Sequence, residues 1–442
     1  MGFYIKDNIV ALATPRGFGA LAIVRVSGEN LSFLFKKLTS IDSPLPRHAY
    51  LKNIKSSAGE VLDSSIITLF RAPKSFTGED IIEISCHGGN LVSSLIIDEL
   101  VLLGCRHAQA GEFSRRAYLN GKIDLTQAES IDLIIKASHR SQLKSGIMGF
   151  EGKTKKSIIT IKGLLYDLLS IIEHELDFTE EEISHTTLSQ IKNQLKKADK
   201  MLGGLVSGGL SNRGAFGGIR TCIVGKPNAG KSTLFNSLLG YDKVIVSSEK
   251  GTTRDSVEAE IEIGEVLFKL IDTAGYWKGK DSLDRLGIEK TKQEVEKSDI
   301  VIILDEKDPF EFAKRLKNID KKPCLYVTSK SELIKNKYLN KKSIALSSLK
   351  NTGIDSLLTA LLTEALGGFV PENSYITSVR QAVLLKKSLF LVSKASETLE
   401  EIDMAQLSSL LRSSIDEMED ILGKTNNEAV LNKIFGSFCV GK

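Results

Sequence analysis

The run from Gly225 to Ser232 reads GKPNAGKS, a complete G-x-x-x-x-G-K-S phosphate loop, and it constrains the fold of this chain more than any other segment. The apolar run Ile219–Val224 before it predicts a strand, and Ser232–Leu239 after it predicts a helix. In such a strand–loop–helix unit, backbone N–H groups at the helix N-terminus face inward and bind phosphate oxygens. The full spacing with both flanks favours a nucleotide-binding α/β domain over a chance glycine-rich turn.

Three segments supply predicted contacts to a nucleotide and its metal ion. Lys231 can reach the terminal phosphates as a catalytic cation, and the Ser232 hydroxyl can bind Mg²⁺. Asp272 follows the apolar run Val266–Ile271 and begins the sequence DTAG, while Thr253 lies between the two motifs in GTTRD. The order of phosphate loop, switch I and switch II resembles the translation-factor-type GTPases, so GTP and Mg²⁺ are the expected ligands. The predicted contacts are Asn228, Ala229, Gly230, Lys231, Ser232, Thr233, Ser247, Ser248, Glu249, Lys250, Gly251, Thr252, Thr253, Asp272, Thr273, Ala274 and Gly275.

The segment expected to bind the nucleobase departs from the pattern of these GTPases. They carry N-K-x-D after an apolar strand, whereas here the strand is followed by SKSE, with Ser329, Lys330 and Glu332 at the base-contacting positions. A carboxylate accepts hydrogen bonds from guanine N1–H and the guanine amino group, which adenine cannot supply. Glu332 keeps that charge on a longer arm, while Ser329 lacks the amide of the usual asparagine. A preference for guanine is therefore expected.

The last base-contacting loop is predicted after the apolar run Ser343–Leu346. It comprises Ser347, Ser348 and Leu349, at the place where such GTPases usually carry S-A-K. Another charged run, at 306–308, lies too close in sequence to Asp272 to fill the base-binding role.

Length and composition bound the remaining possibilities. A chain of 442 residues predicts two to four domains, and its net charge of only +4 means that any RNA contact comes from local patches. The five cysteines form no C-x-x-C pair, which argues against structural zinc and disulfides. No apolar run reaches the length of a membrane span or resembles a signal peptide, so a cytoplasmic protein without membrane insertion is expected.

Proline placement and apolar spacing predict the domain organisation. The eight prolines leave 74–226 and 372–442 without any, which permits long helices there. Two stripes recur at helical spacing, namely Ile158, Ile161, Leu165, Leu168, Ile172 and Leu176, and Leu407, Leu411, Ile415, Met418 and Leu422. We expect an α+β domain at 1–120 and a discontinuous helical domain at 121–212 and 373–442. A P-loop GTPase domain with a doubly wound, mostly parallel sheet is inserted at 213–370. The glycines between 203 and 218 predict a flexible hinge.

Motifs outside the GTPase segment point to one family. They are Ala13–Pro15, Ile23–Gly28, Phe76–Asp80, His87–Gly89, Gly111–Ser114, Asn120–Lys122, Asp124–Glu129 and Phe438–Lys442. Together they resemble the MnmE (TrmE) family of tRNA uridine-5-carboxymethylaminomethyl modification GTPases, and the resemblance covers essentially the whole chain. Members are homodimers that act with the FAD-dependent partner MnmG. They install an aminomethyl or carboxymethylaminomethyl group on C5 of the wobble uridine of tRNA.

The resemblance also implies a folate site. The N-terminal domain of the family is similar to tetrahydrofolate-binding domains, and 5,10-methylene- or 5-formyl-tetrahydrofolate supplies the one-carbon unit. Carried onto this chain, the folate contacts are Arg25, Glu83, Lys122 and Lys442. A carboxylate can bind the pterin and cations can bind the glutamate tail, although any one such residue taken alone is more often part of a surface ion pair. Cys439 has two interpretations, a small buried apolar residue or a thiol used in the modification chemistry.

The family further implies K⁺-dependent hydrolysis. K⁺ takes the place of an arginine finger, and the matching positions are Asn228, Ser247, Glu249 and Thr252. A switch II glutamate orients the attacking water through a second water, and the matching residue here is the shorter Asp284. The alternatives are an Era-like GTPase switch in ribosome assembly and a folate-binding module with a vestigial GTPase. An Era-like protein needs a KH-like RNA-binding module, and no GXXG loop is evident in 373–442. The intact phosphate loop argues against a vestigial GTPase.

Overall fold

The computed structural model describes residues 7–137, 140–177, 185–211, 218–242, 244–246, 257–264, 266–273, 291–314, 319, 322–333, 342–366, 376–424 and 428–441. Its contacts divide the chain into two compact units. The first joins Met1–Asp132 to Glu419–Lys442, and the second is Leu133–Met418. The domain boundaries expected at 120, 212, 370 and 373 stay predictions.

The described strands of the first unit form a six-stranded sheet in the order β3-β4-β5-β2-β1-β6. All neighbours are antiparallel except β1 and β6, which run parallel. The strands are β1 (Ile9–Leu12), β2 (Leu21–Gly28), β3 (Ala49–Lys55), β4 (Val61–Phe70), β5 (Asp80–His87) and β6 (Arg106–His107). The helices are α1 (Ser32–Thr39), α2 (Asn90–Leu102), α3 (Glu112–Leu119) and α4 (Leu125–Lys136), the last of which ends beyond the unit boundary.

Alternation along the strands gives this sheet two buried faces. Val10 faces the larger core, which includes Phe35 of α1 and Ile96 of α2. Its neighbours Ile9 and Ala11 point the opposite way and pack with Phe113 of α3. Successive side chains of a strand alternate between faces, so the predicted α+β architecture follows from this spacing and is confirmed.

The C-terminal segment belongs to the first unit. Helix α13 (Glu428–Phe435) and the following residues bury Phe435 and Phe438 against Leu125 and Ala128 of α4. Tyr118 Oη of α3 donates a hydrogen bond to the Gly423 carbonyl at 2.7 Å. Farther along, Val440 pairs with Ala110 in an isolated β-bridge. The described residues up to Gly441 therefore lie against the N-terminal part of the same molecule.

The described strands of the second unit form a seven-stranded sheet in the order β13-β12-β11-β7-β10-β9-β8. The first five are parallel, and β9 and β8 add an antiparallel edge. The strands are β7 (Ile219–Gly225), β8 (Ile245–Val246), β9 (Val257–Ile263), β10 (Val266–Asp272), β11 (Ile300–Asp305), β12 (Cys324–Thr328) and β13 (Ile344–Ala345). The helices near this sheet include α8 (Lys231–Leu239), α9 (Pro309–Ala313) and α10 (Ile354–Leu366).

Helices cover both faces of this second sheet. Ile223 and Ile302 pack on one side with residues of α8 and α10. Their neighbours Cys222 and Ile303 pack on the other side with Ala313 of α9. The doubly wound, mostly parallel sheet expected around the phosphate loop is thereby confirmed.

Long helices flank this sheet in sequence. They are α5 (Arg140–Phe150), α6 (Lys153–Asp177) and α7 (His185–Ser211) before it, and α11 (Val379–Glu397) and α12 (Met404–Leu422) after it. Helix α7 packs along α11, and Lys192 pairs with Glu400 just beyond it, with 2.9 Å between Nζ and Oε1. Segments from both sides of the insertion thus share one set of helices, as expected for a discontinuous helical domain. Within the described residues, no helix is long and apolar enough to cross a membrane.

The helical spacing predicted from Ile158 to Leu176 is confirmed, because all six residues lie in α6; those up to Ile172 are buried, and Leu176 is 48% exposed in the last turn. One expectation about these helices needs correction. The hinge expected from the glycines is wrong between 203 and 209, because α7 continues to Ser211. Leu202 and Val206 are buried on this helix, and their packing outweighs the low helix propensity of the glycines.

Candidate functional site

The phosphate loop follows β7 and leads into α8, as its sequence predicts. Asn228 has a positive φ of 65° and Gly230, the N-cap of α8, a φ of 92°, so the chain curls twice through the left-handed region. Gly225 lies so close to β11 that an added Cβ would stand 2.2 Å from the Leu304 carbonyl oxygen. A side chain at Gly225 would push the loop off the sheet, which explains the first glycine of the motif.

Lys231 is held inside this loop. Its side chain is only 4% exposed, and its Nζ donates hydrogen bonds to the carbonyl oxygens of Gly225 and Lys226, each at 2.9 Å. Burial lowers the pKa of Lys231, and the carboxylate of Asp272 acts in the opposite direction. The loop thus holds a buried ammonium group where the terminal phosphates of a nucleotide are expected.

Asp272 occupies the expected place at the end of a strand. It is buried at the end of β10, directly opposite Ile223 of β7. The next residue, Thr273, donates a hydrogen bond from its hydroxyl to the Ile223 carbonyl at 2.8 Å, which links the start of switch II to β7. Ser232 lies exposed in the first turn of α8. A carboxylate and a hydroxyl beside a phosphate loop form an oxygen donor set of the kind that Mg²⁺ prefers, so these residues fit the expected metal.

The base-contacting segment lies at the same edge of the sheet. Ser329 follows β12 and is buried, and Lys330 adopts a positive φ of 52° before the short 3₁₀ turn that contains Glu332. A hydrogen bond from the Ser347 side chain lowers the pKa of Glu332. Within the described part of the chain, no group hydrogen-bonds to Ser329 Oγ or Glu332 Oε2, although both atoms are shielded from solvent. These two unpartnered atoms fit a nucleobase that offers both donors and acceptors.

The final loop also reaches this edge. Ser331 N–H donates to the Leu346 carbonyl at 3.1 Å, which joins the SKSE segment to the residues after β13. Ser237 of α8 donates to the Ser348 carbonyl at 3.3 Å, whereas Leu349 is exposed. The structure therefore brings the phosphate loop and both base-contacting loops to the carboxyl ends of parallel strands, which is where nucleotides bind in such sheets.

Several predicted site residues lie outside the described residues. They are Ser247, Ser248, Glu249, Lys250, Gly251, Thr252, Thr253, Ala274, Gly275, Asp284 and Lys442. Their roles in switch I, switch II and the folate site stay predictions.

A second polar site lies in the first unit. Arg25 of β2 and Glu83 of β5 are register partners and form an ion pair, with 2.8 Å between Nη2 and Oε1. Arg25 Nη1 also donates to the Gly441 carbonyl at 3.3 Å, and its guanidinium lies 5.9 Å from the centre of the Phe113 ring. Gly441 of the C-terminal segment thus lies beside two of the predicted folate contacts.

Lys122 and Cys439 complete the described part of this second site. Lys122 Nζ donates to the Pro73 carbonyl at 2.9 Å, and Asn120 Nδ2 donates to the Thr77 carbonyl at 2.7 Å. The turn at Asn120–Lys122 therefore contacts the Phe76–Asp80 segment through Asn120 and the chain just before that segment through Lys122. Cys439 is exposed, so its interpretation as a small buried apolar residue is wrong. Its carbonyl accepts a hydrogen bond from Gly111 N–H at 3.4 Å.

A buried ion network in the same unit was not predicted from the sequence. Arg116 of α3 is 2% exposed and pairs with Asp7, Glu79 and Glu112, with N···O distances of 2.6, 3.1 and 3.1 Å. Glu79 in turn accepts a hydrogen bond from Ser27 Oγ at 2.7 Å. The only sequence signal was the i,i+4 spacing of Glu112 and Arg116, which is far more common on exposed helix faces.

We call the edge of the second sheet that carries the phosphate loop and the loops at 329–332 and 347–349 the nucleotide edge. The fold and this edge together define a P-loop nucleotide-binding protein with a separate α+β unit. Comparison with known families extends this assignment to the whole chain. Residues 8–122 match the family model for the N-terminus of the GTP-binding protein TrmE, and residues 125–439 match the model for the MnmE helical domain. This chain belongs to the MnmE family of tRNA modification GTPases, as the sequence motifs predicted.

Individual relatives agree over the full length. The tRNA modification GTPase MnmE of Sulfurimonas denitrificans is 35% identical over 444 residues, which cover 99% of this chain and 100% of the relative. The protein of the same name from Thermotoga petrophila is 38% identical over 463 residues, with the same two coverages. That from Aquifex aeolicus is 34% identical over 448 residues, again with 99% and 100% coverage.

Proposed function

We propose that this chain hydrolyses GTP as part of a reaction that modifies C5 of the wobble uridine of tRNA. The observation that carries the proposal is family membership over the full length, since the match includes the N-terminal and C-terminal segments as well as the GTPase segment. The nucleotide edge supports GTP binding, because a phosphate loop and an unpartnered carboxylate oxygen lie at one side of the same sheet. An FAD-dependent MnmG protein is the proposed partner, and the active form is proposed to be a homodimer.

Each residue of the nucleotide edge has a proposed role in hydrolysis. Lys231 binds the terminal phosphates, and Ser232 and Thr253 hold Mg²⁺ near Asp272. Asn228, Ser247, Glu249 and Thr252 would hold K⁺, and Asp284 would orient the attacking water. When bound, the two cations would neutralise the negative charge of the phosphates. Asn228 is exposed on the loop surface with its backbone in the left-handed region, which suits a side chain that reaches a bound ion.

The proposed K⁺ site predicts cation-dependent hydrolysis. Replacing NaCl by KCl at equal ionic strength should raise the GTPase rate more than about tenfold, since a cation in this place substitutes for an arginine finger, which accelerates hydrolysis roughly 10³–10⁵-fold. Asn228→Gly should abolish the difference, because glycine keeps the positive φ and removes only the amide. Asn236→Ala, on the exposed side of α8, is the matched control and should keep it. Equal rates in the two salts for the unaltered protein would exclude K⁺ activation.

The base-contacting segment predicts selectivity for guanine. Glu332 can accept hydrogen bonds from guanine N1–H and the amino group, and the Ser329 hydroxyl can donate to an acceptor on the base edge. GTP should therefore displace a fluorescent GTP analogue at least about 100-fold better than ATP, which corresponds to about 3 kcal/mol for two hydrogen bonds to a charged acceptor. Glu332→Ala should reduce this ratio about tenfold or more, whereas Ser331→Ala next to it should not. Equal displacement by GTP and ATP would contradict the assignment of these loops.

The second polar site is proposed to bind a tetrahydrofolate derivative. Support comes from Arg25, Glu83 and the Gly441 carbonyl, which lie together within one molecule. Lys122 and Lys442 are the proposed additional cations. The exposed thiol of Cys439 lies two residues from Gly441, whose carbonyl accepts from Arg25, and is the proposed participant in the modification chemistry.

Removal of residues 439–442 should stop tRNA modification without affecting GTP hydrolysis. The truncation leaves the buried Phe438 in place, so α13 keeps its packing. Folate binding should weaken at least about tenfold, the effect of losing one charged contact, and tRNA modification should stop, while GTP hydrolysis in K⁺ stays near normal. Cys439→Ser is the matched variant, which should keep folate binding and lose modification if the thiol takes part. A truncated protein that still modifies tRNA would remove the proposed role of the tail.

The described structure gives no support to the Era-like alternative. Over 376–424 and 428–441 the described chain forms helices α11, α12 and α13 and a single β-bridge at Val440. A KH-like module is a mixed α/β unit with its own sheet, and the described residues of this range form none.

A further inference from the structure

Asp305, the last residue of β11, makes contacts that fix its carboxylate. The side chain is buried, and its Oδ2 lies 2.8 Å from Nζ of Lys226 in the phosphate loop. Its Oδ1 accepts hydrogen bonds from the N–H groups of Lys307 and Asp308, at 2.8 and 3.0 Å. Burial alone would raise the pKa of Asp305, but Lys226 and these two N–H groups hold it below the usual value. The carboxylate is therefore charged and held rigidly at the end of its strand.

Lys226 connects this carboxylate to the phosphate-binding group. Its carbonyl, together with that of Gly225, accepts the two hydrogen bonds from Lys231 Nζ. The place of the Lys226 backbone therefore sets the place of the Lys231 ammonium group. The ion pair with Asp305 restrains that backbone from the side of β11.

Asp305 and the residue that follows it, Glu306, also hold the base-contacting segment. The Asp305 carbonyl accepts a hydrogen bond from Ser329 N–H at 3.0 Å. The next residue, Glu306, pairs through its carboxylate with Lys330 Nζ. Both loops that would bind a nucleotide are thus fastened to the end of one strand.

We propose that Asp305 is a positioning residue for nucleotide binding, which fixes the spacing between the phosphate loop and the base-contacting loop. This inference rests on the proposed binding of a guanine nucleotide and extends it to a residue that touches neither phosphate nor base. A nucleotide engages both loops at once, and loops that are held at the correct spacing beforehand lose less entropy on binding. Loss of the ion pair between Asp305 and Lys226 should chiefly speed nucleotide release, because the two loops can then move apart while the nucleotide is bound.

Isosteric variants test this role without disturbing the core. In Asp305→Asn the Lys226 ammonium group, 42% exposed in the native protein, can turn to solvent, so the fold should persist. Lys226→Met removes the charge from the other side of the pair. Each variant should raise the dissociation rate of a fluorescent GDP analogue about tenfold, the factor for loss of one charge-assisted hydrogen bond. Lys226→Arg keeps the charge and should release the analogue more slowly than Lys226→Met.

The double variant Asp305→Asn with Lys226→Met shows whether the two residues affect nucleotide release through their ion pair or independently. If Lys226 and Asp305 act only through each other, the double variant should release the analogue no faster than either single one. Glu364→Gln, an exposed carboxylate on α10, is the control and should leave the rate unchanged. Native rates in both single variants, or effects that multiply in the double variant, would overturn the inference. A native protein that shows no guanine-nucleotide binding would overturn the proposed function as well, which separates the two failures.

Discussion

Replacing Lys231 by alanine is expected to slow GTP hydrolysis by roughly 10²–10³-fold and to weaken GTP binding. Removal of one preorganised donor to developing charge has an effect of this size in enzymes that stabilise oxyanions. The native ammonium group is buried between the carbonyls of Gly225 and Lys226, so no other described cation is held in the same place. The truncated side chain also leaves the buried Asp272 without its nearby positive charge. Single-turnover hydrolysis with protein in excess measures the chemical step directly.

A lysine on the same sheet provides the control for this variant. Lys269 of β10 is partly exposed and pairs with Glu260 of β9, with 3.0 Å between Nζ and Oε1. Lys269→Ala removes an equal charge far from the loop motif in sequence and should leave both binding and hydrolysis near native. Hydrolysis by Lys231→Ala at more than about a tenth of the native rate would show that the phosphates bind elsewhere.

Replacing Arg116 by methionine is expected to destabilise the first unit by about 3–5 kcal/mol. The substitution keeps most of the side-chain volume but removes the buried cation that Glu79 and Glu112 share, and Glu112 keeps only its more exposed ion pair with Arg106. Because the protein has two units, a single global unfolding curve does not isolate this effect. Hydrogen exchange of peptides from β2 and β5 does isolate the effect, since both strands belong to the sheet of the first unit and Ser27 of β2 contacts Glu79 of the network. Their exchange should become at least about 100-fold faster in the variant.

Arg106 supplies the matched comparison for this network. It contacts the same Asp7 and Glu112, at 2.7 Å each, but is 43% exposed, so Arg106→Met should cost only about 1 kcal/mol or less.

Burial alone would raise the pKa of Glu112, but hydrogen bonds from Arg106, Gln109 N–H and Arg116 hold it below its unfolded value of 4.5. The stabilisation of the folded state by ionised Glu112 is therefore complete above about pH 4.5 and is lost as the pH falls through the lowered pKa of Glu112. Similar exchange rates in the Arg116 and Arg106 variants would show that burial of the Arg116 ion pairs does not increase their contribution to the stability of the first unit.

The nucleotide edge was predictable from the sequence because its signals are local. A glycine-rich motif between an apolar strand and a helix start fixes β7, the loop and α8 within a residue or two, and Val266–Ile271 does the same for β10. The parallel sheet then brings Asp272 beside β7 without further information. The glycines of α7 led to the wrong prediction of a hinge, because here the local signal did not determine the structure. Their local preference for turns was outweighed by buried neighbours such as Leu202 and Val206, which a reading of composition does not weigh.

Contacts between distant segments could not be read from the sequence. Nothing near Arg116 distinguishes it from an exposed helix residue, yet Asp7 and Glu79 converge on it from separate parts of the chain. The exposure of Cys439 depends on how the tail lies against Gly111. The link between Asp305 and Lys226 depends on strand order, since β11 lies beside β7 although about 75 residues separate them in the chain. Local patterns locate motifs, whereas the network that positions them appears only in the folded chain.

The central claim is that this chain modifies the wobble uridine of tRNA in a reaction that requires its GTPase. Nucleoside mass spectrometry of tRNA tests it most directly, in cells that lack the gene and carry either the native chain or Lys231→Ala. We predict that the C5-modified wobble uridine disappears without the gene, returns with the native chain and fails to return with the variant. A wobble uridine that stays fully modified in the absence of the gene would contradict the claim.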